Sequence, residues 1–242
     1  MSAIHSRYLH EMHQRFGQFA CWPPNTPLKL GDVGVLRRDK FEKVTTLAEL
    51  GVRSLPDETG APVLLEYSSA GQVHLAVDGE AQASVLPSPV GGMVSISFGR
   101  EGATFFQAVD AVRESITDLP KLEKALAPLR VRKIWKPEWA VVTSVQRTGP
   151  TMILVAAGRD TKVEFNVSAD ALGPSIPLAA AAVRAGFAST GEMAVRVLAA
   201  DGTTPLFGAA QFRKRLTGTS LVYRTDKLQL TELGWDDLDA DE

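Results

Sequence analysis

The chain has 242 residues, of which 45% are hydrophobic and 22% charged, with a formal net charge of −2. This length suits one large α+β domain or two small ones with a substantial core, and the hydrophobic content excludes a disordered chain. The near-neutral balance, with no basic stripe interleaved with aromatics, argues against nucleic acid as a partner.

The charge is unevenly spread. Residues 217–242 carry seven acids and two bases, a net of −5, which leaves 24 bases and 21 acids, a net of +3, on residues 1–216. A basic body masked by an acidic end is drawn to anionic membranes once unmasked. No Gly/Ser-rich or Pro-rich linker cuts the middle, so the expected organisation is one domain over 1–216 and a short acidic tail over 217–242.

A single cysteine, Cys21, cannot form an internal disulfide, and MSAIHSRYLHEM lacks the basic-then-apolar layout of a signal peptide; a cytoplasmic protein is expected. The most apolar run, IPLAAAAVRAGFA, is broken by Arg184, short of the ~18 apolar residues a membrane helix needs, so any membrane insertion would use strands.

In chain order, Ile4, Tyr8, Met12, Phe16 and Phe19 recur at helical spacing, which predicts an amphipathic helix over 4–20 ended by CWPPNTP. LKLGDVGVL reads as a short strand or loop, and Leu47 to Leu50 as a short helix. From Val63 to Phe98 the period changes to two, giving the strands VLLEY, VHLAV and MVSISF, separated by SSAGQ, DGE and PSPVGG. Thr104 with Gln107 reads as a capping pair ahead of Phe105, Val109, Val112 and Ile116, predicting a helix there. LPKLEKALAPL adds another that starts at Pro120. AVVTSV, TMILVAA and KVEFNV are strands; IPLAAAAVRAGF is helical; EMAVRVL and LFGAAQF are strands. The sum, roughly eight strands and four helices with no fixed repeat, predicts an α+β fold with a twisted, largely antiparallel central sheet and flanking helices.

No catalytic constellation accompanies these elements, so the expected activity is non-enzymatic, with no cofactor and no metal. His5, His10 and His13 lie close together, and the spacing of the last pair on one helix could present two metal ligands, but no third suggests itself and surface histidines are the commoner outcome. GDVGVL lacks the third glycine and the Lys-Ser/Thr of a phosphate loop, and no G-x-S-x-G elbow is present. Cys21, between Ala20 and Trp22, reads as a buried apolar thiol. Trp22, Trp135, Trp139 and Trp235 are too scattered for a stacking platform. Arg213, Lys214 and Arg215 form a short basic cluster at a strand end.

The order of elements, with VVTSV in one strand and PLFG…F followed by basic residues in a late one, resembles the pore-forming domain of gasdermins, particularly the compact bacterial and fungal members. The resemblance covers most of the chain as topology and those two motifs as sequence. It implies a monomer restrained by a small C-terminal piece, proteolytic release by a caspase-like or trypsin-like protease, and assembly of many copies into a β-barrel in the inner membrane. The implied role is a cell-death effector of bacterial antiphage defence. Arg215, Arg224 and Lys227 are then candidate cleavage positions, and Arg213, Lys214 and Arg215 candidate contacts to anionic lipid. Bacterial gasdermins carry a lipid-modified cysteine within a few residues of the start; the one cysteine here, Cys21, lies beyond the first helix and fits that role poorly. Fungal relatives act without a removable inhibitor, so a partner is an alternative trigger. A non-enzymatic adaptor module is the alternative reading, in which the same sheet recognises a protein and the tail only solubilises.

Overall fold

In the computed structural model, which describes residues 3–37, 40–53, 56, 58–78, 92–167, 177–214 and 228–235, the chain begins with helix α1 (Ala3–Phe16). Its apolar stripe, Tyr8, Leu9 and Met12, is buried against Phe106, Ala108, Ile153 and Val155. The helix stops at Gly17, at φ +66°, whose N–H bonds the His13 carbonyl at 2.8 Å. A glycine in the left-handed region therefore ends it before the CWPPNTP run is reached.

The strands are β1 (Phe19–Ala20), β2 (Asp32–Leu36), β3 (Phe41–Thr46), β4 (Glu58–Thr59), β5 (Val63–Ser68), β6 (Val73–Asp78), β7 (Gly92–Phe98), β8 (Thr104–Ser115), β9 (Trp139–Arg147), β10 (Thr151–Ala156), β11 (Thr161–Val167), β12 (Ser189–Thr190), β13 (Met193–Ala199), β14 (Leu206–Lys214) and β15 (Leu228–Glu232). Two further helices, α2 (Leu119–Val131) and α3 (Leu178–Ala185), complete the described residues. Among the described residues this is an α+β fold with mostly antiparallel sheets and three helices.

Two expected helices are absent from the described residues. Leu47 to Leu50 form a single turn after β3: Thr46 and Glu49 bond each other reciprocally, as in a capping box, but Gly51 at φ +76° halts propagation. The segment from Thr104 is strand β8, paired with β4, β5, β9 and β10. Thr104, Phe106 and Ala108 are buried at spacing two, with Gln107 buried on the opposite side, and the next buried residue is Ala111. The break in period coincides with a bulge, where Val63 and Leu65 face Ala111 and Ala108 and Asp110 takes φ +51°. One extra residue shifted the phase and produced a false helical spacing.

The larger sheet has the order β1-β14-β9-β8-β10-β13, with β2, β3, β4, β5 and β15 attached; the smaller has the order β12-β11-β7-β6. Helix α2, with Asp118 Oδ1 accepting from Lys121 N at 2.9 Å, buries Leu122, Leu126 and Leu129 against Val33, Val141, Trp135 and Phe212. Helix α3 lays Ala179, Ala181 and Ala182 into the angle between the two sheets, against Met152, Leu154, Ile96 and Phe165. Small side chains let the helix sit close to both.

Candidate functional site

Four strands of the larger sheet turn one corner together and continue as the four strands of the smaller. In the larger sheet the lateral order is β5-β8-β10-β13; in the smaller, the continuations of those strands lie in the matching order β6-β7-β11-β12. Hydrogen bonds carry the ladder through the corner: Ser69 N to Thr104 O (2.9 Å), Gly99 N to Gln72 O (2.8 Å), Gly102 N to Ala156 O (2.9 Å) and Ala157 N to Glu192 O (3.1 Å). Residues 63–78 with 92–115 thus make one long bent hairpin, and 151–167 with 188–199 a second beside it. Gly71 at φ +66° and Gly102 at φ +72° sit at the bend, where the chain must leave the extended region.

Beyond the corner the strands alternate. Val94, Ile96 and Phe98 on β7 and Val163, Phe165 and Val167 on β11 face inward and are buried, whereas Met93, Ser97, Lys162 and Asn166 lie on the other face. On β6, Val73 and Leu75 continue the apolar face beside Phe98 and Ile96. Because β6 is the sheet edge, Leu75 is 55% exposed. On β5, Val63 and Leu64 are also among the exposed large hydrophobic residues. Among the described residues, nothing pairs with the outer side of β5 and β6 or of β12 and β13.

Helix α3 closes the inner side of the corner. Its N-terminus has no side-chain cap of its own; Gln107 Oε1 from β8 accepts from Ala179 N, while Gln107 Nε2 donates to Glu66 Oε1 at 2.6 Å. One side chain therefore links α3, β8 and β5.

The second element of the site is the docked end of the chain. β15 pairs along β14 from Ala210↔Glu232 to Lys214↔Leu228, and Leu233 N extends the contact to Ala209 O at 2.8 Å. Leu230 enters the core with Leu126 and Phe212, and its N–H donates to Glu123 Oε2 of α2 at 3.2 Å. Trp235 then packs on His10, His13 and Phe19. Residues 228–235, placed by sequence in an acidic tail, are thus an edge strand with an aromatic anchor. Burial raises the Glu232 carboxyl above its ordinary range, opposed by Thr143 and the Arg113 charge. Gly208 makes room beside it: a Cβ there would meet Ser144 Oγ at 2.5 Å.

Arg213 is in β14 opposite Gln229, and Lys214 opposite Leu228. Arg215, Arg224 and Lys227 lie outside the described residues. Cys21 is buried, its thiol donating to Thr204 O at 3.0 Å, and burial pushes its pKa up strongly, which suppresses the thiolate that acylation requires. The three histidines serve aromatic packing: His5 stacks on Trp22 at 4.4 Å, while His10 and His13 flank Trp235. Among the described residues no group of three His, Cys, Asp or Glu side chains is placed to hold a metal, and no helix is long and apolar enough to cross a membrane. Trp135 and Trp139 pack edge to face at 5.8 Å beside Phe212. Sequence reasoning gave Gln107 a helix-capping role, which its place on β8 replaces with the bonds to Ala179 and Glu66, and it missed Glu123 and Glu232, whose roles depend on strands that pair far along the chain.

Compared with family models, curated proteins and solved structures, the chain matches none.

Proposed function

We propose that this protein is a membrane pore former of the gasdermin type, held closed until its C-terminal segment is released by proteolysis or by a partner. The observation that carries the reading is the shared corner of the two long hairpins. Straightening it would convert residues 63–78, 92–115, 151–167 and 188–199 into four adjacent antiparallel strands. At ~3.3 Å per residue the first of these extends to ~50 Å, against a hydrocarbon core ~30 Å thick that a strand of ~9–11 residues spans.

The alternation on β7 and β11 supplies one apolar and one polar face, as a barrel wall between lipid and water requires. An inserted ribbon needs every backbone group paired. The outer edge of β5 and β6 in one copy and that of β12 and β13 in the next run antiparallel, so head-to-tail pairing closes a ring. Self-association and anionic lipid are therefore the partners this reading requires. Loss of residues 217–242 moves the formal charge from −2 to +3, and each Lys or Arg near an anionic surface contributes ~1 kcal/mol. In this reading the protein acts as a bacterial cell-death effector in antiphage defence, cytoplasmic while closed and at the inner membrane once active.

The test is dye release from vesicles after brief trypsin treatment, for which Arg215, Arg224 and Lys227 are the proposed targets. Nicked protein should release dye from anionic vesicles, less so at high salt, and intact protein should not. Silence of both, with the nicked protein still folded, favours the adaptor reading.

A further inference from the structure

We propose that α1 latches the corner through Glu11, an inference whose purpose rests on the pore-forming reading. The Glu11 carboxylate is nearly enclosed, its side chain 12% exposed, and each oxygen holds a different turn of the first hairpin. Oε2 accepts from Ser69 Oγ at 2.8 Å, and Oε1 accepts from the Arg100 guanidinium at 3.0 Å. Ser69 Oγ in turn accepts from Thr104 N at 2.9 Å, the residue whose carbonyl receives Ser69 N. One carboxylate therefore reaches the last ladder pair before the bend and the start of the turn that follows β7.

A second tie lies one helical turn away. Arg7 donates to Glu101 O at 2.7 Å, and the helix presses so closely on Gly102 that a Cβ there would meet Arg7 at 3.2 Å and the Ile4 backbone at 3.6 Å. The turns at 69–72 and 99–103 are the two that must become extended for the hairpin to straighten. Their glycines, Gly71 and Gly102, hold positive φ in the bend without the penalty a Cβ would bring, and the extended region is equally open to them. What opposes it is α1, which is fixed to the sheet by Tyr8, Leu9 and Met12 and grips both turns through Glu11 and Arg7. Charge-assisted bonds at a partly buried site are the strong class of hydrogen bond, and loss of Arg100 leaves the enclosed Glu11 carboxylate without its charge partner. The docked tail restrains the molecule at β14; the latch is a separate restraint, at the hinge itself.

The test uses the full-length chain and native-state hydrogen exchange at Ser69, Gly99 and Thr104, with Val141 and Ala210 in β9 and β14 as references. Glu11→Gln preserves shape and removes the charge, and should speed exchange at the three corner amides by about tenfold while the reference amides stay unchanged. Arg100→Gln, at a 41% exposed side chain, should speed the same amides, and the double variant should add little to either single one. Wild-type exchange at the corner in both variants, or equal acceleration everywhere, overturns the latch. Dye release by the trypsin-nicked proteins separates this from the parent reading. Release by nicked wild type with an unaltered corner in the variants sinks the latch alone; a loosened corner with no release from any nicked protein sinks the pore and leaves the latch.

Discussion

Trp235 stands on His13, with ring centroids 5.3 Å apart, so the last described turn of the chain is clamped to the first helix. Phe19 and His10 complete the seat, and Leu233 beside it enters the cluster of Phe207 and Val142. The C-terminal strand is thereby fixed at both ends, by Leu230 on α2 and by Trp235 on α1.

Replacing the indole should loosen this end first. Trp235→Ala should lower unfolding stability by about 1–2 kcal/mol, the value of a half-buried aromatic, and speed trypsin cleavage between β14 and β15. Denaturant titration with timed proteolysis checks both; unchanged cleavage would mean the anchor is not what holds the strand.

Gly208 predicts a clash with a defined partner. Gly208→Ala would place a methyl 2.5 Å from Ser144 Oγ in the middle of the sheet and should cost about 1–3 kcal/mol. Ser144→Ala in the same chain should recover part of that loss, because only the hydroxyl is too near. Thermal unfolding of the two single variants and the double variant decides it.

The raised Glu232 carboxyl makes docking of β15 pH-dependent. A carboxyl whose pKa is raised in the docked state binds its proton more tightly there than when free. Docking is therefore strongest below the ordinary carboxylate range and weakens as pH rises from there through the elevated pKa. Glu232→Gln should flatten that dependence and raise the melting temperature at neutral pH by ~1–2 °C, a small effect because the side chain is partly solvated. Melting curves from pH 4 to 8 measure it.

Leu75 separates membrane insertion from folding. At 55% exposure on the edge strand, Leu75→Lys should change stability by less than ~0.5 kcal/mol, yet it would place a charge on the lipid-facing side of the straightened ribbon, where ~2–4 kcal/mol is lost per strand. Nicked Leu75→Lys should release little dye while melting as wild type does.

Much of this architecture is legible in the sequence where side chains alternate without interruption. MVSISF and KVEFNV coincide with β7 and β11 through their period of two, VLLEY and VHLAV coincide with the edge strands β5 and β6, and TMILVAA, an unbroken apolar run buried on both faces, coincides with β10. Legibility failed at β8, where the bulge at Asp110 shifted the phase, and at Leu47, where cap signals were present but Gly51 stopped the turn. It failed again at β15, since the charge of the tail obscured Leu230 and Leu233, which carry the strand into two core clusters. The corner itself is invisible locally: it is defined by which strands lie side by side in both sheets, and pairings such as Phe98 with Thr161 join residues far apart in the chain.

Straightening of the corner into membrane-spanning strands can be read from an environment-sensitive fluorophore on single cysteines placed in turn at residues 161–167 in a Cys21→Ser background. On nicked protein bound to anionic vesicles, labels at 161, 163, 165 and 167 should report lipid and be quenched from within the bilayer, while those at 162, 164 and 166 should report water. Labels that all stay aqueous, or that report no period of two, while the protein is bound would contradict straightening.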